Sequence, residues 1–155
     1  MEKRNDEVIK TLNELIEVNL DRSKGYETAA NGTEDSGNKA LFMQYSSQST
    51  GFKNELEKLV NEYGGEPTKS SSASGSVYRA WIETKSLLTG KDKKAILNSC
   101  EFGEDEAKKV YTNAKKDATL YPENVLKLID RQYEEVLKAH NAIKSLRDAL
   151  VEEHH

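Results

Sequence analysis

Glu66-Pro67-Thr68-Lys69-Ser70-Ser71-Ser72-Ala73-Ser74-Gly75-Ser76 is the stretch that decides the fold. It is polar, built of small residues and rich in helix breakers, and it separates two long regions of helical period. Such a segment reads as a long crossover between two helical hairpins. A bundle whose helices alternate up and down needs only short loops.

Working outward from it, the N-terminal side holds two helices. Val8, Leu12, Leu15, Ile16, Tyr26 and Ala29 mark one inward stripe and predict a helix from about Asp6 to Ala30, stopped by Asn31-Gly32. Leu41, Tyr45, Phe52, Leu56, Leu59 and Tyr63 predict a second from about Asn38 to Tyr63, stopped by Gly64-Gly65. On the C-terminal side a short helix, Val77 to Leu88, carries Trp81, whose expected role is to pin that helix to the bundle. A third long helix follows from Lys91 or Asp92 to about Asp117, with Ile96, Cys100, Ala107, Val110, Tyr111 and Ala114 inward. The fourth opens near Tyr121-Pro122-Glu123, where proline and glutamate suit a first helical turn, and runs to about Glu153. Its inward stripe includes Val125, Ile129, Val136, Ala139, Ile143, Leu146 and Leu150. The expected fold class is therefore all-α, a four-helix bundle, with no strand needed.

Composition narrows the function classes. The chain has 155 residues, enough for one domain with a real core. His154 and His155 read as a tag remnant, which leaves 1–153 as one bundle domain. Charged residues are 32% and the net charge is −4, with both signs interleaved. That pattern gives solvated helix faces and no basic stripe for nucleic acid. No run is long enough to span a bilayer, and the N-terminus leads into no apolar signal segment. Cys100 is the only cysteine, so a disulfide framework and a thiolate metal cluster are excluded. A cytoplasmic location is the expectation.

Each long stripe is interrupted by one polar residue. Asn19 follows Leu15 by four, Gln48 follows Tyr45 by three, Glu104 follows Cys100 by four, and Gln132 follows Ile129 by three. These spacings place all four on core faces. Left without partners, each would cost about 1–3 kcal/mol. Meeting in one layer, they would satisfy one another, because amides both donate and accept. The competing reading is that one or two sit at the edge of a stripe and reach water. Tyr26, Tyr45, Tyr111 and Tyr133 are placed to line the layer.

Several stretches resemble a known group. Leu15 to Tyr26, Ser74 to Trp81, Lys85, Leu88 to Asp92, Cys100 to Asp105, Arg131-Gln132-Tyr133 and Ala139-His140 are similar to an uncharacterised bacterial ferritin-like four-helix-bundle family, a domain of unknown function related to the ferritin and rubrerythrin group. The resemblance covers nearly the whole chain and implies a ferritin-like bundle with a long crossover. It also supplies a test. A di-iron bundle of this kind draws one glutamate from each of two helices and a Glu-x-x-His pair from each of the other two. Here Asn19 stands where the first glutamate belongs. The second helix offers Gln48 or Ser49, with Gly51 or Phe52 where histidine belongs. The third keeps Glu104, and the fourth offers Gln132 followed by Glu135. One carboxylate cannot balance two hard cations.

The expected function is a non-enzymatic ferritin-like bundle with a degenerate di-metal site, in a structural or interaction role that related families connect with stress response. No catalytic residue and no cofactor are expected. Two other classes stand beside it. One is a metal-binding or oxidative protein with a diverged carboxylate site holding iron or another divalent metal, for which Glu104, Glu101, Asp21 and His140 are the candidates, with Glu17 and Asp105 nearby. The other binds a small molecule between helices. For His140, hydrogen-bonded structure is the plainer reading, and Cys100 is expected to face inward and be inert. A homodimer through a helix face is compatible with the mixed-charge surface.

Overall fold

The computed structural model of the chain describes residues 2–69 and 93–153. Within them lie four long helices: α1 (Glu2–Gly32), α2 (Ser36–Glu62), α3 (Lys93–Lys116) and α4 (Glu123–Glu153). A single 3-10 turn, Ala118–Leu120, joins α3 to α4. The all-helical bundle expected from the stripes is what forms. The predicted short helix Val77 to Leu88, with Trp81, lies outside the described residues.

The directions of the helices follow from which residues meet. Ser49 of α2 bonds Asn19 of α1, and Ser46 bonds Ser23, so these two run antiparallel. Tyr26 reaches Glu104 while Asn19 reaches Tyr111, so α1 and α3 are antiparallel as well. It follows that α2 and α3 point the same way. A parallel pair cannot be joined by a tight turn. The connection from Glu62 to Lys93 has to return the length of α2, about 40 Å for a helix of this size. A long connection between α2 and α3 is therefore a geometric requirement of the topology.

Local chemistry sets the ends. The loop between α1 and α2 is three residues, and Asp35 caps α2 by accepting from the Asn38 N–H at 2.8 Å. Its other oxygen pairs with Lys93 Nζ at 2.7 Å, tying the start of α2 to the start of α3. This pair and the cap hold the Asp35 carboxyl below its ordinary range. At the far end of α2, Gly64 adopts φ +83, and the Gly64 and Gly65 N–H groups donate to Asn61 and Val60, a Schellman cap. Gly65 also lies so close to Ile9 that a Cβ there would meet its side chain at 2.7 Å. Any larger residue there would require the Ile9 side chain to move as the chain leaves along α1.

The core is continuous through the bundle. Val8, Leu12, Leu15 and Ile16 of α1 pack with Phe42, Phe52 and Leu56 of α2, Ile96 and Leu97 of α3, and Ile129, Val136 and Ile143 of α4. The stripe on α2 is rotated by one position near its start. Phe42 is fully buried with its ring beside Tyr26, and Leu41 is only half-buried. Leu146 and Leu150 are likewise only partly covered.

Candidate functional site

The interior polar layer is built from all four helices, and its centre is a buried ion pair. Arg22 lies three residues after Asn19 and four before Tyr26, which places it on the inner face of α1. It is 0% exposed, as is Glu104 on α3. Arg22 donates from Nε to Glu104 Oε1 at 2.6 Å and from Nη2 to Oε2 at 2.9 Å, a bidentate fork. Its Nη1 donates to Ser49 Oγ at 2.7 Å. The guanidinium carbon lies over the rings of Tyr26 and Tyr45, 5.3 and 5.7 Å from their centroids. Glu104 receives a third donor, the Tyr26 hydroxyl, at 2.7 Å.

From Ser49 the network continues. The Ser49 hydroxyl donates to Asn19 Oδ1 at 3.1 Å. Asn19 Nδ2 donates to the Leu15 carbonyl and to Tyr111 Oη, each at 2.8 Å. The Tyr111 hydroxyl donates to Gln132 Oε1 at 2.7 Å. Gln132 Nε2 donates to the Phe52 carbonyl and to Glu55, each at 3.3 Å. The arrangement is reciprocal: the tyrosine of each antiparallel partner, α1 or α3, bonds the polar residue of the other.

Electrostatics follow from burial. Desolvation opposes charge on Arg22, but attraction and hydrogen bonds from Glu104 outweigh it, and the guanidinium is held charged with its pKa raised. Burial and, after it, the Glu104 charge push the Tyr26 hydroxyl well above its ordinary range. Burial also raises Tyr111 and Cys100. Burial thus favours the neutral phenols and thiol, which leaves the Tyr26 hydroxyl as a donor and disfavours a Cys100 thiolate.

The four residues singled out by spacing are not all brought together. Asn19, Glu104 and Gln132 are buried and joined through Tyr111, Ser49 and Arg22. Gln48 is half-buried and joins no bond of the layer; its Oε1 has no hydrogen-bond partner among the described residues. Ser49, one position on, supplies the α2 contribution. The residue that spacing reasoning missed is Arg22. Its position was legible, since Asn19, Arg22 and Tyr26 share a face. A long cation on a core face is ordinarily discounted because isolated charges are rarely buried.

A second cluster lies on the α3–α4 seam. Glu101 and Asp105, one turn apart on α3, face His140 of α4. His140 Nε2 is 2.7 Å from Asp105 Oδ1 and 3.8 Å from Glu101 Oε1. Glu101 Oε2 is held by Arg147, two turns along α4 from His140. Of the four metal candidates, Glu101 and His140 meet here and Asp105 joins them. Glu104 is instead engaged by Arg22, and Asp21 is buried apart from the cluster.

The fold and this interior define a class, a ferritin-like helical bundle. It is similar to a ferritin-like, diiron-carboxylate protein from Bacillus anthracis str. Ames, with a TM-score of 0.68 at 19% identity over 97% of this chain and 99% of that one. The chain belongs to the family described as a domain of unknown function, DUF2383, whose model matches residues 7–117. No curated protein matches the sequence.

A di-iron centre does not fit these residues. Converging on the layer are an asparagine, a serine, a glutamate and a glutamine, with buried Phe52 three after Ser49 and half-buried Glu135 three after Gln132. The one carboxylate is already occupied by a buried guanidinium. Relative to a full set of four glutamates and two histidines, the site is degenerate.

Proposed function

We propose that this protein is a non-enzymatic, ferritin-like scaffold in which a protein-borne cation takes the electrostatic place of a metal centre. The carrying observation is the fully buried, bidentate Arg22–Glu104 pair. A carboxylate inside a bundle needs a facing positive charge. In a di-iron relative metal ions would supply it; here Arg22 does, with Tyr26 and Ser49 completing the hydrogen bonds. The layer made by Asn19, Glu104 and Gln132 then serves to fix helix register, with Gln48 at its edge. Such a bundle would act through its surface, in a structural or interaction role of the kind related families have in stress response.

Interleaved surface charge supports protein contacts over nucleic acid. No helix among the described residues is long and apolar enough to cross a membrane. A reducing cytoplasm suits the lone, buried Cys100. Pairing of two copies through a helix face belongs to the same proposal, and Met43 and Phe102 are large apolar side chains exposed for it.

The test is elemental analysis for iron and manganese on protein purified without chelators, with an iron-oxidation assay beside it. The expected result is no stoichiometric iron or manganese and no oxidation above a protein-free control. Two tightly bound ions per chain, the content of a di-iron bundle, would overturn the proposal.

A further inference from the structure

The geometry points to a separate, mononuclear site for a divalent cation of the zinc class, formed by Glu101, Asp105 and His140 on the α3–α4 seam. This goes beyond the scaffold role and shares no ligand with the Arg22–Glu104 layer.

His140 is 8% exposed, so its ring nitrogens depend on protein partners. Nδ1 lies 3.2 Å from Asn141 Oδ1, an acceptor, and the tautomer that satisfies this contact carries its hydrogen on Nδ1. In the neutral ring this leaves Nε2 with a bare lone pair. Nε2 is buried, aimed at Asp105 and Glu101, and makes no aligned hydrogen bond among the described residues. A lone pair facing two carboxylate oxygens is repulsive unless a cation stands between them. A hydrogen-bonded acceptor on the far nitrogen is also the arrangement that orients histidine ligands in metal sites.

The donor set and spacing agree with zinc. One imidazole nitrogen and two carboxylate oxygens match a borderline dication, and two carboxylates balance its charge. Tetrahedral donors about 2 Å from a zinc ion lie about 3.3 Å apart. The Nε2 distances of 2.7 and 3.8 Å bracket that value, and one donor from each residue falls within 4.8 Å of the others. Reaching that spacing would take Asp105 Oδ1 slightly away from Nε2 and Glu101 Oε1 slightly toward it. Arg147 takes Glu101 Oε2 and so turns Oε1 toward His140. Asp105 is 44% exposed at its side chain, which leaves the fourth position open to water. The competing occupant is a proton on Nε2, giving an imidazolium between the carboxylates, and the experiment separates the two.

The 155-residue protein is titrated with zinc chloride by calorimetry at neutral pH, and bound zinc is counted after gel filtration. His140→Ala and Asp105→Asn are run in parallel, with circular dichroism to confirm folding. Binding of one zinc per chain, weakened about tenfold or more in both variants, is the expected result. Asp105→Asn changes an exposed side chain and decides the matter if His140→Ala does not fold. No saturable uptake would leave the proton as occupant and overturn the inference. Equal uptake in wild type and variants would place the binding elsewhere, at His154 and His155 for example, and overturn it too. Two iron or manganese ions retained in both variants would instead count against the scaffold proposal alone.

Discussion

Glu104 and Glu101 stand three residues apart on α3, and each faces an arginine, yet the two pairs are built on different terms. Glu104 is met by Arg22 of α1 in the centre of the bundle, with both oxygens forked, a tyrosine hydroxyl added and no exposure on either side chain. Glu101 is met by Arg147 of α4 through one oxygen, at the edge, with 13% and 24% of the side chains exposed. Its other oxygen is turned toward His140. The inner pair is a closed system in which each polar group has a protein partner. The outer group has an open side and an unmatched nitrogen. A buried charge must be fully satisfied by protein, whereas a charge at the seam can exchange partners with solvent or an ion. That difference is the ground for proposing a structural role for the first and ligand binding for the second.

Breaking the inner pair should produce the largest effect. Arg22→Met leaves the Glu104 carboxylate buried with Tyr26 as its remaining donor, and the expected loss is about 3–5 kcal/mol of unfolding free energy. Urea denaturation measures it. The double variant Arg22→Met, Glu104→Met removes both charges and should recover most of that loss, because apolar groups of similar volume replace a buried pair at little cost. A double variant as unstable as the single one would show that the pair is not the unit of the layer.

An intermediate effect is expected at Tyr111→Phe. It removes the hydroxyl that both accepts from Asn19 and donates to Gln132. Two buried amide groups lose a partner, for a cost of about 1–3 kcal/mol. Thermal and urea melts should agree on the sign.

The smallest effect belongs to the outer pair. Arg147→Ala should change stability by less than about 1 kcal/mol, since a partly exposed ion pair is screened by solvent. Repeating the measurement in high salt should shrink the difference further. A loss as large as that of Arg22→Met would erase the contrast between the two regions.

Much of this was legible from spacing alone. The apolar steps of three and four gave the four helices within a few residues at each end. Helix α1 runs on to Gly32 where a stop at Ala30 was expected, because a glycine can fill a last helical turn before the chain turns away. The Ala118–Leu120 turn was not expected, since so short a 3-10 segment carries no period. At the site, the positions of Asn19, Glu104 and Gln132 on core faces were readable. The choice between Gln48 and Ser49 was not. Adjacent residues on a helix differ by about 100°, and only the rotation of α2 against α1 decides which of them points in.

By itself, the sequence determined the helical class, the long crossover, the inward stripes and the single carboxylate among the four polar residues that interrupt them. These are local properties, carried by residue type and period. Pairing was decided only by tertiary structure. Arg22 and Glu104 are 82 residues apart, and nothing local links them. Glu101 and Asp105 become a candidate site only when the packing of α4 brings His140 beside them. A charge can be buried, or a cation held, only where separate helices bring complementary groups to one point, and that convergence exists in the assembled bundle alone.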